Sequence, residues 1–522
     1  MAIIDFFDHA CLNWPDNDFL VFDGKSVPYR DAQATTRRIA NGLLALDGGA
    51  KAKAAVLSGN DPMAWLSVLS IWRAGLTWVP VNPRDSMQHR AFLLNEFDCE
   101  ILIFQPEYAA EIAACRAQLS KVRHLVSLGE KSELLPDALT LTELMTGQPA
   151  SGPDIVCAMD DVCTITGTGG TTGKPKGVMM THRNAQTMVA SFLGVMPYKP
   201  GEFPVSLIAA PITHAAGMVS LLSTTCGGKV VMLPRVDPVA ILDAMEQWRV
   251  TELFLPPTAI YSLLETPGVQ TRDYSALKYF IYAAAPMSPE KLRRAIAVFG
   301  PRMMQGYGQA EAPATISCLR PEEHFVNGEL APEGRLSSCG RVFPLVRVTI
   351  RDAANKELPP GETGEICVAG DIVMKGYYND PGRTAEAIVD GWLHTGDVGF
   401  FDEEHFLHIT DRAKDMIITG GFNVYSAEVE GVINGIPGVL DCAVVGVPDD
   451  HWGEAIRAVV ELSGPTAVAE EAIIALCREK LGAVKAPKSV EFVDRLPRST
   501  AGKVLKREIR SRYWEGKARR VN

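Results

Sequence analysis

A chain of 522 residues exceeds what one ordinary core organises, so at least two domains are expected. Its 47% hydrophobic and 22% charged residues give a globular composition, and a formal charge of −11 argues against nucleic acid as the main partner. The eleven cysteines are scattered singly, with no CxxC or Cys/His metal spacing, which suggests reduced thiols and a cytoplasmic setting. The first residues lack the basic and apolar regions of a signal peptide, and no apolar run reaches about 18 residues, so no spanning helix is expected. In chain order, Asp61-Pro62 is a helix start, Trp65, Val68, Leu69 and Trp72 recur at helical spacing, Gly75 ends the helix and Thr77–Val81 is a short strand. The same rhythm returns at Val239–Trp248 with Glu252–Leu255, and at Pro289–Phe299 with Met303-Met304. Alternation of this kind implies parallel sheets covered by helices. Strands at Arg347–Arg351 and Glu365–Ala369, around the turn Pro359-Pro360-Gly361, suggest a small barrel-like sheet. Beyond the polar stretch Asp411–Asp415, strands and helices from Met416 to Arg512 form an α+β unit of about 110 residues, a normal size for a separate domain. The expected fold is therefore α/β: a large N-terminal domain, 1–413, and a small mobile C-terminal domain, 414–522, with the boundary near Lys414.

Chemistry concentrates in a few stretches. Thr166–Gly177 packs glycines, threonines and two lysines after the β-prone Asp161–Ile165. Inward-turned amides, hydroxyls and positive charge suit a polyphosphate. Pro175 after Lys174, and the glycine spacing, exclude the GxxxxGK[ST] loop. Gly306–Glu311 is expected as a loop at the carboxyl end of a parallel strand, with Tyr307 able to stack on a base and Glu311 able to hold magnesium. Asp397, in His394–Asp397, could accept ribose hydroxyls, although a turn Asp capping its own backbone fits those four residues as well. Arg412 alone is most simply a surface ion-pair residue. Lys503 lies in the small-residue loop Pro497–Lys503 before a last helix, where a lysine could be delivered to an anionic centre or simply be solvated.

Together, Thr168–Gly177, Tyr307–Glu311, Thr395–Asp397, Asp411–Glu430 and Gly502-Lys503 resemble the superfamily of adenylate-forming enzymes, over nearly the whole chain. Ile418–Tyr425 is most similar to bacterial acyl-CoA synthetases of the fatty-acid or aryl-acid type. The resemblance implies that a carboxylate attacks ATP to give acyl-AMP and pyrophosphate, and that coenzyme A then displaces AMP. It assigns the phosphate loop to Thr168, Thr171, Thr172, Gly173, Lys174 and Lys176, the adenine site to Tyr307, Ala284 and Ala285, and magnesium to Glu311. It further assigns the ribose to Asp397 and Arg412, the carboxylate–phosphate bridge to Lys503, the hinge to Lys414 and the thiol channel to Gly420 and Gly421. His214 would gate the acyl pocket, with Ala283 narrowing it, Gly308 beside it, and Ala215, Ala216 and Gly217 leaving room.

Three departures stand out. Gly169 replaces a serine and Ala310 a threonine, each removing a hydroxyl near the phosphates. Ser426 stands where proline is frequent, and no consequence is expected of it. The implied substrate is an apolar aliphatic, aryl or polycyclic acid, with ATP, magnesium and coenzyme A, and a homodimer is possible. An amino-acid substrate is disfavoured, because Ile212, Thr213 and His214 offer no carboxylate for an ammonium group. Two alternatives stay open: an acyl-AMP ligase loading a carrier-protein arm, and a nucleotide-binding sensor without chemistry.

Overall fold

Residues 1–46, 52–168, 175–412, 415–420, 422–449, 451–464, 468–499 and 503–515 are described by the structure, a computed structural model; of residues 214, 215 and 423 the backbone alone is described. The Pro62–Arg73 helix starts as its sequence predicts. Asp61 Oδ1 accepts from the amides of Met63 and Ala64 at 2.7 and 3.2 Å, and Pro62 occupies the first turn, where no amide partner is needed. Trp65 and Trp72 on this helix pack edge-on against each other and against Trp78 of the Thr77–Pro80 strand, all three almost fully buried. The helix-then-strand rhythm recurs at Pro238–Gln247 with Glu252–Leu255, and at Pro289–Phe299 with Met303–Gln309.

These units build two large sheets. One has nine strands, in the spatial order Arg341–Val342, Ala312–Leu319, Met303–Gln309, Tyr279–Tyr282, Glu252–Leu255, Val205–Ile208, Lys229–Met232, Asp18–Phe22, Lys25–Pro28. Its centre is parallel and its two edges antiparallel. The other has eight strands, with Gly376–Tyr377, Lys176–Thr181 and Val162–Thr168 along one side. A five-stranded antiparallel sheet follows, in which Trp392–Phe401 pairs with both Gly364–Ala369 and Leu407–Arg412. The tail forms its own five-stranded sheet about the long hairpin of Val439–Asp449 and Gly453–Leu462, covered by the Ser426–Asn434 and Glu470–Leu481 helices. The architecture is the expected α/β one, a large N-terminal region of sheets followed by a small α+β unit.

The cores follow the same division. The largest apolar cluster draws on residues from Ile3 to Leu407, whereas the main tail cluster is built from Ile417, Val429, Ile433, Val444, Ile456 and their neighbours. Among the described residues, no apolar cluster draws on both sides of the stretch between them. Lys414, the expected hinge, lies outside the described residues.

Two local expectations are corrected. Gly306–Gln309 is not a loop: the strand runs through to Gln309 and folds back as the antiparallel Ala312–Leu319. Gly308 permits this, since a Cβ there would strike the Ala314 backbone. Likewise Thr395–Asp397 is not a turn but lies within the ten-residue Trp392–Phe401 strand.

Candidate active site

The phosphate-loop candidate is flanked by two antiparallel strands, Val162–Thr168 and Lys176–Thr181. Thr168 and Lys176 face each other across its base, and the Thr168 hydroxyl donates to the Lys176 carbonyl at 3.4 Å. Thr171, Thr172, Gly173 and Lys174, like Gly169, lie outside the described residues. The Lys176 ammonium stands 4.5 Å from the centre of the Tyr377 ring. Tyr377 reaches it because Gly376–Tyr377 adds antiparallel to Lys176–Thr181. The Tyr377 hydroxyl then donates to Glu311 Oε1 at 2.9 Å, while the Glu311 carbonyl accepts from the amide of Met374 at 2.8 Å. Burial and the adjacent Glu311 charge raise the Tyr377 pKa, so the phenol remains a donor. Lys176 and Glu311 are thus joined through one aromatic side chain that no sequence motif marks.

A second group gathers on the neighbouring strands. Asp397 is buried, 4% exposed, and lies opposite Arg412 in the register of the Trp392–Phe401 and Leu407–Arg412 strands. Arg412 Nε stands 2.9 Å from Asp397 Oδ1, and the Tyr307 hydroxyl donates to Oδ2 at 2.8 Å. These charge-assisted bonds offset the cost of burying a carboxylate. A carboxylate oxygen can accept two hydrogen bonds, so capacity remains for a vicinal diol. Arg412 does form an ion pair, but with a buried carboxylate of the site. Burial and the Asp397 charge raise the Tyr307 pKa well above that of a free phenol.

Support for Asp397 comes from behind the strand. Glu365 Oε1 accepts from the Gly396 amide at 2.9 Å, and Oε2 lies 2.7 Å from His394 Nδ1. The Thr395 hydroxyl donates to the Ile366 carbonyl at 2.7 Å, and Gly396 takes a left-handed φ of 70° between them. The Cys367 thiol is also close to His394, but burial and Glu365 push it up to about 12 and keep it neutral. Glu365 was legible only as part of a strand; a carboxylate in an otherwise apolar strand of the small sheet is the signal that could have marked it.

Ala283–Ala285 follow the Tyr279–Tyr282 strand, which runs parallel to Met303–Gln309. Ala284 is held at φ 71°, uncommon for a residue with a Cβ. Ala283 lies beside Gly306, its Cβ 3.7 Å from where a Gly306 Cβ would stand. Ile212–Ala216 form a π turn leading into the Gly217–Thr225 helix; the side chains of His214 and Ala215 are not described. Here one expectation is corrected. Gly217 does not leave room for an acyl group, because a Cβ there would collide with the Trp65 indole and the Ile212 carbonyl, and Ala216 is buried.

In the tail, Lys503 is exposed, and its backbone is stapled to Ser499: Ser499 N donates to the Lys503 carbonyl at 2.7 Å, and Lys503 N to Ser499 Oγ at 3.1 Å. Arg498, next to it, is anchored by Asp441 at 2.8 Å and Glu461 at 3.1 Å. Gly420 has φ 56°, lies against the Trp452 indole and donates its amide to the Trp452 carbonyl at 2.8 Å. Gly421 lies outside the described residues.

Residues 7–378 match the family model described as AMP-binding enzyme, and residues 428–503 match the model for the AMP-binding enzyme C-terminal domain. The chain belongs to the AMP-binding enzyme family. Within this family it is similar to a medium/long-chain-fatty-acid–CoA ligase, FadD8, of Mycobacterium tuberculosis, at 37% identity over 91% of this chain and 84% of that protein. It is also similar to a feruloyl-CoA synthase of Amycolatopsis, at 36% identity over 94% of both. Among solved structures, the amide bond synthetase McbA of Marinactinospora thermotolerans superposes with a TM-score of 0.88 at 31% identity, over 98% of this chain and 100% of that one. The AMP-binding enzyme described here is an AMP-forming acid–thiol ligase: it activates a carboxylic acid with ATP and transfers the acyl group to coenzyme A. No described helix is long and apolar enough to cross a membrane.

Proposed function

We propose that the acid is an apolar aliphatic or aryl carboxylic acid, and that the cluster built on Asp397 holds the ribose of ATP during its activation. The observation that carries this reading is the buried Asp397, oriented from two sides by Tyr307 and Arg412 and still able to accept a diol. The fatty-acid and ferulate specificities of the two relatives support an apolar or aromatic acid, as does the absence of a carboxylate at Ile212, Thr213 and His214.

In the first half-reaction the acid's carboxylate attacks the α-phosphate, a P–O bond forms and pyrophosphate leaves. Both reactants are anions, so the protein's task is to align them and offset their repulsion. Thr168, Thr171, Thr172, Gly173, Lys174 and Lys176 cradle the departing phosphates. Tyr307 lies against the adenine with Ala284 and Ala285, and Lys503 bridges the two reacting groups. Glu311 is a hard oxygen donor held in place by Tyr377, a fit for magnesium, which would neutralise phosphate charge when bound. In the second half-reaction the coenzyme A thiolate attacks the acyl carbonyl and AMP leaves. His214 gates the acyl group beside Ala283 and Gly308, and Gly420 and Gly421 border the thiol's path. Lys503 and Gly421 serve different steps, which calls for two placements of the tail about Lys414. The setting is cytoplasmic, in keeping with eleven unpaired cysteines.

Acid-dependent ATP–pyrophosphate exchange across aliphatic, aryl and polycyclic acids tests the substrate class, and absence of exchange with every apolar acid would sink it. For Lys503→Ala we expect exchange to fall by at least about 100-fold, the scale of losing one transition-state cation, while thioester formation from supplied acyl-AMP persists.

A further inference from the structure

Four side chains outside the reacting centre, two of them buried and two half-buried, form one cluster where the two cores meet. Asp411, 5% exposed, ends the sheet of the large region beside Arg412. Its Oδ2 accepts twice from Ser426, the fully buried first residue of the Ser426–Asn434 helix in the tail: from the amide at 2.5 Å and from the hydroxyl at 2.7 Å. Lys506 Nζ donates to Ser426 Oγ at 2.6 Å and pairs with Glu430 at 2.7 Å. Lys506 opens the last helix, three residues after Lys503. The Asp411–Ser426 bonds therefore cross from the large core to the tail, and Lys506 ties them to the element that follows the bridging lysine.

We propose that Ser426 is a positioning residue that clamps Asp411 to the tail and sets the balance between the two tail placements of the ligase cycle. Asp411 and Ser426 lie on either side of Lys414, so a rotation about that position separates them. A carboxylate held by two donors from one residue resists that separation. Any residue without the hydroxyl loses one of these bonds, and proline loses both, having no amide hydrogen. The backbone accepts proline here. Ser426 is the first helical position, and Tyr425 before it is extended at φ −86°, ψ 120°. Ser426→Pro therefore removes the clamp while keeping the local geometry.

The inference rests on the two-placement reading above. The test measures pyrophosphate exchange and thioester formation from supplied acyl-AMP in the full chain, for Ser426→Pro, Ser426→Ala and Ser426→Thr. Loosening the clamp favours the placement not held by it, so the two half-reaction rates of Ser426→Pro are expected to move in opposite directions, changing their ratio by about fivefold or more. Ser426→Ala falls between Ser426→Pro and the unaltered chain, and Ser426→Thr, which keeps both donors, restores the original ratio. Rates that fall together, or do not change, overturn the proposal; should Ser426→Pro fail to fold, Ser426→Ala decides it by the same criterion. Lys503→Ala is run alongside. If it damages both half-reactions alike, the two-placement reading itself fails and the clamp falls with it. If it separates them while the Ser426 variants do not, only the clamp is wrong.

Discussion

Tyr307 and Arg412 take over for Asp397 the hydration that water would otherwise provide, and they do so from fixed directions. Tyr307→Phe removes one donor from a buried carboxylate without changing shape. A loss of about 1–2 kcal/mol corresponds to a rise in KM for ATP of about 5- to 30-fold, with a smaller change in kcat. Steady-state kinetics with ATP varied will measure it. Tyr377 acts at one remove, by holding Glu311. Tyr377→Phe should weaken the apparent magnesium affinity about fivefold, the worth of about 1 kcal/mol, seen in a magnesium titration of the rate at saturating ATP, while the melting temperature moves little. Asp397 and Arg412 carry almost no signal alone in the sequence. Only their order among the other motifs picks them out, and their pairing needs the strand register. Tyr377 and Glu365 could not be found that way, because each acts on a partner far along the chain.

Among the elements, the Glu252–Leu255 strand carries an unusual load: Glu252 is 3% exposed at its start. Burial pushes its carboxyl up to about 7, with hydrogen bonds from Tyr198, Ser223 and Ser206 opposing this only in part. The folded protein thus binds this proton more tightly than the unfolded chain does. Its contribution to stability is complete below about pH 4.5 and is lost as pH rises through about 7, a swing of about 3 kcal/mol. Glu252→Gln cannot ionise and still accepts from Tyr198. Relative to the unaltered chain it should gain stability between pH 5 and pH 8, measured by denaturant unfolding at the two values; an unchanged difference would show that Glu252 does not titrate there. Helices and parallel strands were legible in the sequence because N-caps such as Asp61 and apolar runs are local signals. The hairpin at Gln309 was not, because Gly306 and Gly308 look like strand breakers, and the close approach of Ala314 that explains Gly308 is visible only in the fold. Gly217 misled in the same way: its small size serves Trp65 and not a substrate.

For the whole molecule, the separation of cores into one group ending at Leu407 and another beginning at Ile417 fits a tail that moves as a body. Lys414→Pro should slow thioester formation more than adenylation, since stiffening a hinge acts on the rearrangement between them. Comparing the two half-reactions in that variant will check it, and equal rates would move the pivot elsewhere. The two-domain order was readable from the change in strand and helix rhythm after Asp411, but the bond from Asp411 to Ser426 was not, because serine in place of proline carries no sign of what it will touch. The stapling of Lys503 to Ser499, with Arg498 fixed by Asp441 and Glu461, has a mechanical consequence. The staple fixes the Lys503 backbone to the body of the tail. In the proposed two-placement cycle Lys503 changes place together with some hundred residues that sweep through solvent, so the drag of the medium becomes part of the turnover time, and sucrose or glycerol should brake the cycle in proportion to bulk viscosity wherever that sweep limits it.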